Sequence, residues 1–293
     1  MAVLLVRTRN PTGAPMKTAR SRASITRQTL PCGGMGSHRP PRILIVVPTL
    51  GRRNAFLRQC LASIRAQELA ADVVIVRPDG DGAVDALATE FAATTDDDVG
   101  SLAGSINAGI ARNLAGHDFV TWLGDDDFLE PESFTAVAAA LDTHARAVAA
   151  FGHCRYVDDE GRTLWVSKAG SLAPWILPWG PDLIPQPGML VRAVAWQRVG
   201  GLDESYRFAF DLELLLKLKA TGRLVAVNQV VSAFRWHAES LTVSDRTTNL
   251  EESERAKRAH FMPALRPVAP LWEAPVRWAT RKAANRVNAR STA

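Results

Sequence analysis

Along this chain, short runs that are apolar throughout alternate with stretches in which apolar residues recur every three or four positions. Ile43–Val47 (ILIVV) is the first such run, the pattern of a strand buried on both faces of a parallel sheet. Pro48-Thr49-Leu50-Gly51-Arg52 turns the chain. A helix is predicted from about Asn54, with Leu57, Leu61 and Ile64 on one face and Gln67 near its end. Val73–Val76 is a second strand, closed by the turn-forming Arg77-Pro78-Asp79-Gly80-Asp81-Gly82. Val84, Leu87 and Phe91 mark a second helix, Asp96–Asp98 reads as a solvated acidic loop, and Ile106, Ile110 and Leu114 place a third helix over Gly104–Leu114. Phe119–Leu123 (FVTWL) has the β-branched and aromatic content of another buried strand. Strand, helix, strand, helix, helix, strand is a doubly wound α/β unit.

The second half is less regular. Pro131–His144 reads as a helix, and Val148–Val157 with Thr163–Ser167 as a hairpin around Asp158-Asp159-Glu160-Gly161. Residues 170–184, rich in Trp, Pro and Gly, are expected to form a loop over a site. Gln186–Val199 returns as strand and helix up to Gly200-Gly201. Leu212–Leu218 is an apolar helix, and Leu224–Phe234 a strand ending at Arg235-Trp236-His237.

Chemistry concentrates where the Phe119–Leu123 strand stops. Gly124 is followed at once by Asp125, Asp126 and Asp127. Three carboxylates at one strand end repel one another, and a divalent cation such as Mg²⁺ or Mn²⁺ would offset them and in turn hold a diphosphate. The plainer reading is a solvated acidic turn. Ligands of open α/β sheets bind beyond the carboxyl ends of the strands, which favours the metal.

Composition narrows the partners. The 293-residue chain has no apolar run long enough for a transmembrane helix, and its three cysteines (Cys32, Cys60, Cys154) have neither disulfide nor zinc spacing, which fits a reducing, cytoplasmic setting. A pI near 9.4 invites a nucleic-acid reading. The charge is placed against it: residues 1–42 carry +8 and residues 265–293 carry +5, so the body between them carries −8. An acidic body suits cations, and only the tails suit an anionic surface.

Residues 1–40 mix Arg, Ser, Thr, Pro and Gly without periodicity and read as a disordered basic leader. Its composition also matches an organelle transit peptide, and a start at Met35 would lead straight into the first strand. At the other end, Trp272, Val276, Ala279, Ala283 and Val287 form one helical stripe, with Arg277, Arg281, Lys282, Arg286 and Arg290 largely off it. Such a basic amphipathic tail over residues 263–293 would either pack on the acidic body or contact the inner face of a membrane peripherally.

Four blocks together resemble the family 2 glycosyltransferases across roughly residues 43–245: VVPTLGRRNAFLRQCLASIRAQ, VVIVRPDGDG, SINAGIARNLAGHDFVTWLGDDDFL, and QPGMLVRAVAWQRVGGLDESYRFAFDLELLLKL followed by FRWHAESLT. The resemblance implies an inverting enzyme with a GT-A-type doubly wound mixed sheet flanked by helices. It implies a single catalytic domain over residues 41–262, with a nucleotide-sugar and metal half at 41–130 and an acceptor half at 131–262. Departures fall on the nucleotide side: Pro78 replaces an acid, Ile106 an Arg, Gly51 an Asn, and Gly124 the first acid of the metal motif.

Carried over by matching position, Pro48, Thr49, Arg52, Asp79, Asn107 and Asp125 would bind the nucleotide sugar. Asp126 and Asp127 would hold Mn²⁺ or Mg²⁺, with His237 either a further ligand or a loop histidine. Asp211 matches the general base that takes the proton of the acceptor hydroxyl; its alternative is a helix N-cap. Glu213 is second choice, since residues two apart on a helix point about 200° apart. Arg52 and Arg53 could equally be surface charges, and Trp175 and Trp179 either stack on a sugar or simply pack. The implied partners are a nucleotide-sugar donor and a glycan or lipid-linked acceptor of the cell envelope, without nucleic acid. Two other classes compete. A sugar-phosphate nucleotidylyltransferase would carry a Gly-rich, Lys-containing phosphate loop where TLGRRNAFL stands. A non-catalytic sugar- or nucleotide-binding module would have no need of Asp211 together with Asp125–Asp127.

Overall fold

The computed structural model describes residues 39–168, 170–236, 246–261, 271 and 273–278. The basic leader, His237 and most of the amphipathic tail, including Trp272, lie outside these residues.

The elements follow in the order β1 (Ile43–Pro48), α1 (Asn54–Arg65), β2 (Ala71–Arg77), α2 (Gly82–Glu90), β3 (Thr94–Asp97), α3 (Leu102–Asn113), β4 (Phe119–Trp122), β5 (Phe128–Leu129) and α4 (Ser133–Thr143). Then come β6 (Ala147–Val157), β7 (Thr163–Ser167), α5 (Ala173–Ile176), β8 (Leu190–Arg192), α6 (Ala193–Val199), α7 (Phe210–Thr221), β9 (Arg223–Arg235) and α8 (Arg246–His260). One sheet takes up every described strand in the order β3-β2-β1-β4-β8-β6-β9-β5, with β7 beside β6. The pairs β1–β2, β2–β3 and β1–β4 are parallel, with Val46 opposite both Val74 and Trp122. The order then turns mixed at β8, which runs antiparallel to both β4 and β6.

The period of two explains why β1 is apolar throughout. Leu44 and Val46 face one core with Ile106 and Ile110 of α3 and the leucines of α7. Ile43, Ile45 and Val47 face the other core with Leu57 and Leu61 of α1 and Phe134 of α4. Helices therefore cover both faces, and the carboxyl ends of β1, β2 and β4 share one open edge. Among the described residues, no helix is long and apolar enough to cross a membrane.

Three expectations need correction. Asp96 and Asp97 belong to strand β3, not to a loop: β3 pairs only at the sheet edge with β2, so polar TTDD is tolerated, and Asp97 meets Arg77 at 2.9 Å. Asp211 is not the N-cap of α7; that position is Ala209, and Asp211 lies inside the first turn. The loop at 170–184 contains the helical turn α5.

Candidate active site

Leu123 leaves β4 by donating to the Val46 carbonyl at 3.0 Å, which delivers the acid triplet beside the end of β1. Each acid finds a different partner. Asp125 accepts from the Thr49 hydroxyl at 2.6 Å, and that hydroxyl accepts the Gly51 N–H at 3.0 Å. Asp126 pairs with Arg53 at 3.0 Å, so Arg53 is tied to the acid triplet and is not a plain surface charge. Asp127 is 5% exposed and accepts the Arg235 backbone N–H at 3.0 Å. Burial, then Asp126, push the Asp127 carboxyl well above its ordinary range. The burial of Asp127 sets the triplet apart from a fully solvated turn.

Arg235 is a side chain that sequence reasoning missed. It is 1% exposed, lies over the Phe56 ring at 4.0 Å, and donates to the carbonyls of Asp126, Asp158 and Asp159 and to Gln59 Oε1. One buried guanidinium thus ties the triplet to α1 and to the β6–β7 turn, and its charge faces the acids. The signal available was its place two residues before His237 at a strand end.

Two of the three acids converge. A Cβ built on Gly124 would meet Asp126 Oδ1 at 2.9 Å and Asp127 Oδ2 at 3.2 Å, so two hard oxygens from separate carboxylates converge over that glycine. Among the described residues, no group of three or more His, Cys, Asp or Glu, the triplet included, is arranged to hold a metal ion. His237 lies outside them.

On the nucleotide side, Pro48 and the buried Thr49 end β1, while Arg52 and Asp79 stand exposed on the neighbouring turns. Gly51 has φ +71°, a conformation that Asn also tolerates, but a Cβ there would lie 1.8 Å from Asp81 Oδ2. Asp81 caps α2 through the N–H groups of Ala83 and Val84. Asn107 does not reach this edge with a free amide. Its Nδ2 donates to the Leu202 carbonyl and Glu204, and its Oδ1 accepts from Leu202 N, so it fixes the turn after α6.

Asp211, half-buried at the start of α7, is pushed up to about 7 by burial and by the nearby Asp182. Asp182 comes from the Trp- and Pro-rich loop and was not anticipated. It is itself raised by burial, against the pull of Lys257, whose ammonium is buried and donates to the Gly180 carbonyl. Glu213 is turned elsewhere: 6% exposed, it pairs with Lys217 at 2.9 Å and stands 3.5 Å from His260. It belongs to the seam between α7 and α8, which removes it as second choice for a base. Tyr156, stacked on Trp165 at 4.2 Å, is raised first by burial and then by the neighbouring Cys154, with smaller contributions from Asp182, Asp127 and Asp211. Trp179 stacks on Phe261 at 4.9 Å, whereas Trp175 is 75% exposed with Lys219 over its ring.

Solved structures share this architecture. The fold is similar to S. aureus TarS 1–349 in complex with UDP-GlcNAc (TM-score 0.58, 15% identity, 75% of this chain and 66% of that one). It is also similar to the mannosyltransferase PcManGT from Pyrobaculum calidifontis in complex with GDP-Man and Mn²⁺ (TM-score 0.59, 16% identity, 88% of this chain and 76% of that one). The fold is therefore of the GT-A type. Residues 44–196 match the model for Glycosyl transferase family 2, more than half of the chain, and the chain belongs to that family. A curated relative is the O-antigen biosynthesis protein RfbC of Myxococcus xanthus, 29% identical over 196 residues, or 61% of this chain. The chain spans only 14% of the length of that relative.

Proposed function

We propose that the chain is a metal-dependent inverting glycosyltransferase that moves a hexosyl group from a nucleotide sugar to a hydroxyl of a glycan or lipid-linked glycan. The observation that carries this reading is the converging Asp126–Asp127 pair at the end of β4, with the half-buried Asp211, raised to about 7, on the helix whose Phe210 ring packs against Trp122 of that strand. Family membership and the donors named for TarS and PcManGT support the substrate class.

In this mechanism Thr49 and Asp125 fix the end of β1 where the nucleotide would lie, and Asp126 and Asp127 would hold the cation. A divalent cation bound there supplies positive charge to the departing diphosphate. Asp211 accepts the proton of the acceptor hydroxyl as its oxygen bonds to the anomeric carbon and the bond to the diphosphate breaks on the opposite face. A carboxylate with a value near 7 is a stronger base than an ordinary one and is still ionised just above neutrality. Residues 41–262 would form the catalytic domain, with the donor half up to residue 130.

A panel of nucleotide sugars tests the reading by slow hydrolysis and thermal stabilisation. At least one donor is expected to stabilise the protein and to be hydrolysed with Mn²⁺ but not with EDTA. Stabilisation by none of them, with or without metal, would contradict the proposal.

A further inference from the structure

Helix α7 begins without a cap of its own. Its N-cap is Ala209, which has no side-chain oxygen to offer, yet the chain entering it presents successive backbone N–H groups. A carboxylate from α8, far along the sequence, takes them. Glu252 accepts from Arg207 N at 3.1 Å, from Phe208 N at 2.7 Å and from Ala209 N at 3.1 Å. Burial alone would raise the Glu252 carboxyl, but the three backbone donors hold it below its ordinary value, so it is an anion at a helix N-terminus. One turn on, Arg255 donates to the Ser205 carbonyl at 2.9 Å and lies over the Tyr206 ring at 4.1 Å. The segment 205–209 is thus gripped at several points by one face of α8, and Asp211 is the second residue beyond it.

We infer that Glu252 is a positioning residue for the transfer reaction, fixing through the backbone of Arg207–Ala209 the direction in which Asp211 faces the acceptor. The inference rests on the reading of Asp211 as base. Glu252 touches neither donor nor acceptor, so its effect reaches the chemistry only through the geometry of α7. A general base must lie within hydrogen-bond reach of its proton, and a displacement of about 1 Å costs up to about 10²-fold in rate. Loss of the cap leaves three N–H groups to find water or to re-form as a frayed first turn, and that turn contains Asp211.

The test uses the full chain with three substitutions on α8 and one on α7. Binding of UDP and GDP with Mn²⁺ by calorimetry counts the competent molecules, and turnover is expressed per competent molecule. Glu252→Ala is expected to lower kcat by roughly 10- to 10²-fold with nucleotide affinity within about twofold. Glu252→Gln, which keeps one acceptor oxygen, should recover part of that loss. Glu254→Ala breaks the ion pair of the same helix with Arg277 and should leave kcat near the parent value. If Glu252→Ala proves insoluble, the smaller fall in Glu252→Gln carries the test. The inference is overturned if the Glu252 variants keep kcat, or if Glu254→Ala loses as much. Asp211→Asn, measured alongside, separates the two claims: an active Asp211→Asn removes the base reading, whereas an inactive one beside active Glu252 variants removes only the positioning role.

Discussion

The Trp122 and Phe210 rings meet with centroids 6.4 Å apart. Trp122 is the last residue of β4, just ahead of the acid triplet, and Phe210 immediately precedes Asp211. The strand that carries the acids and the helix that carries the proposed base are therefore packed together directly, with the Trp196 ring also 6.0 Å from Trp122. Phe210→Ala should cost about 3–5 kcal/mol of stability, the usual range for a buried Phe. It should also lower turnover more than donor affinity, because it loosens the spacing across the site. Denaturation curves paired with steady-state kinetics check both parts.

The convergence of Asp126 and Asp127 over Gly124 predicts metal-dependent binding of a nucleoside diphosphate. Calorimetry should give much tighter binding with Mn²⁺ or Mg²⁺ than with EDTA, and Asp126→Ala should abolish the difference. Equal affinities in the parent protein with and without metal would exclude the assignment.

Asp211 predicts the acid limb of the pH profile. A base works only when deprotonated, so kcat should fall as pH drops through about 7, the value to which burial and Asp182 raise it. Asp182→Asn removes the neighbouring negative charge and should move that limb to lower pH. A limb that stays in place would mean that Asp182 does not act on the base.

The same raised value has a signed consequence for stability. An unfolded Asp loses its proton near 4, whereas the folded Asp211 keeps it to about 7. The folded state binds more protons in that window, so the stability contributed by this group falls as pH rises from about 4 to about 7. Asp211→Asn removes the penalty. Thermal melts should show the variant more stable than the parent at pH 8, with the advantage vanishing at pH 4.

How much of this was legible beforehand follows from burial. β1, β2 and β4 are buried on both faces, so their apolar runs stand out in the sequence, and the helices between them show one clear stripe each. β3 is TTDD on a sheet edge and carries no such signal. α8 has no apolar stripe; it is held by Glu252, Lys257 and Arg258 acting on residues distant in sequence. Among the candidate site residues, Asp125, Asp126, Asp127, Thr49 and Asp211 could be named because they follow strands or match a family motif. Asp182 and Arg235 could not, since their roles are ion pairs and hydrogen bonds closed only by the fold. Asn107 was misplaced because a motif position does not reveal that an amide is already committed to the turn at Leu202.

Turnover and nucleotide affinity measured on the same sample of Asp211→Asn test the central claim most directly. The variant keeps the shape of the side chain and removes the proton acceptor. A base acts in the transition state, so kcat should fall by roughly 10²–10⁴-fold while binding of nucleoside diphosphate with Mn²⁺ stays unchanged. Turnover close to that of the parent protein would contradict the account.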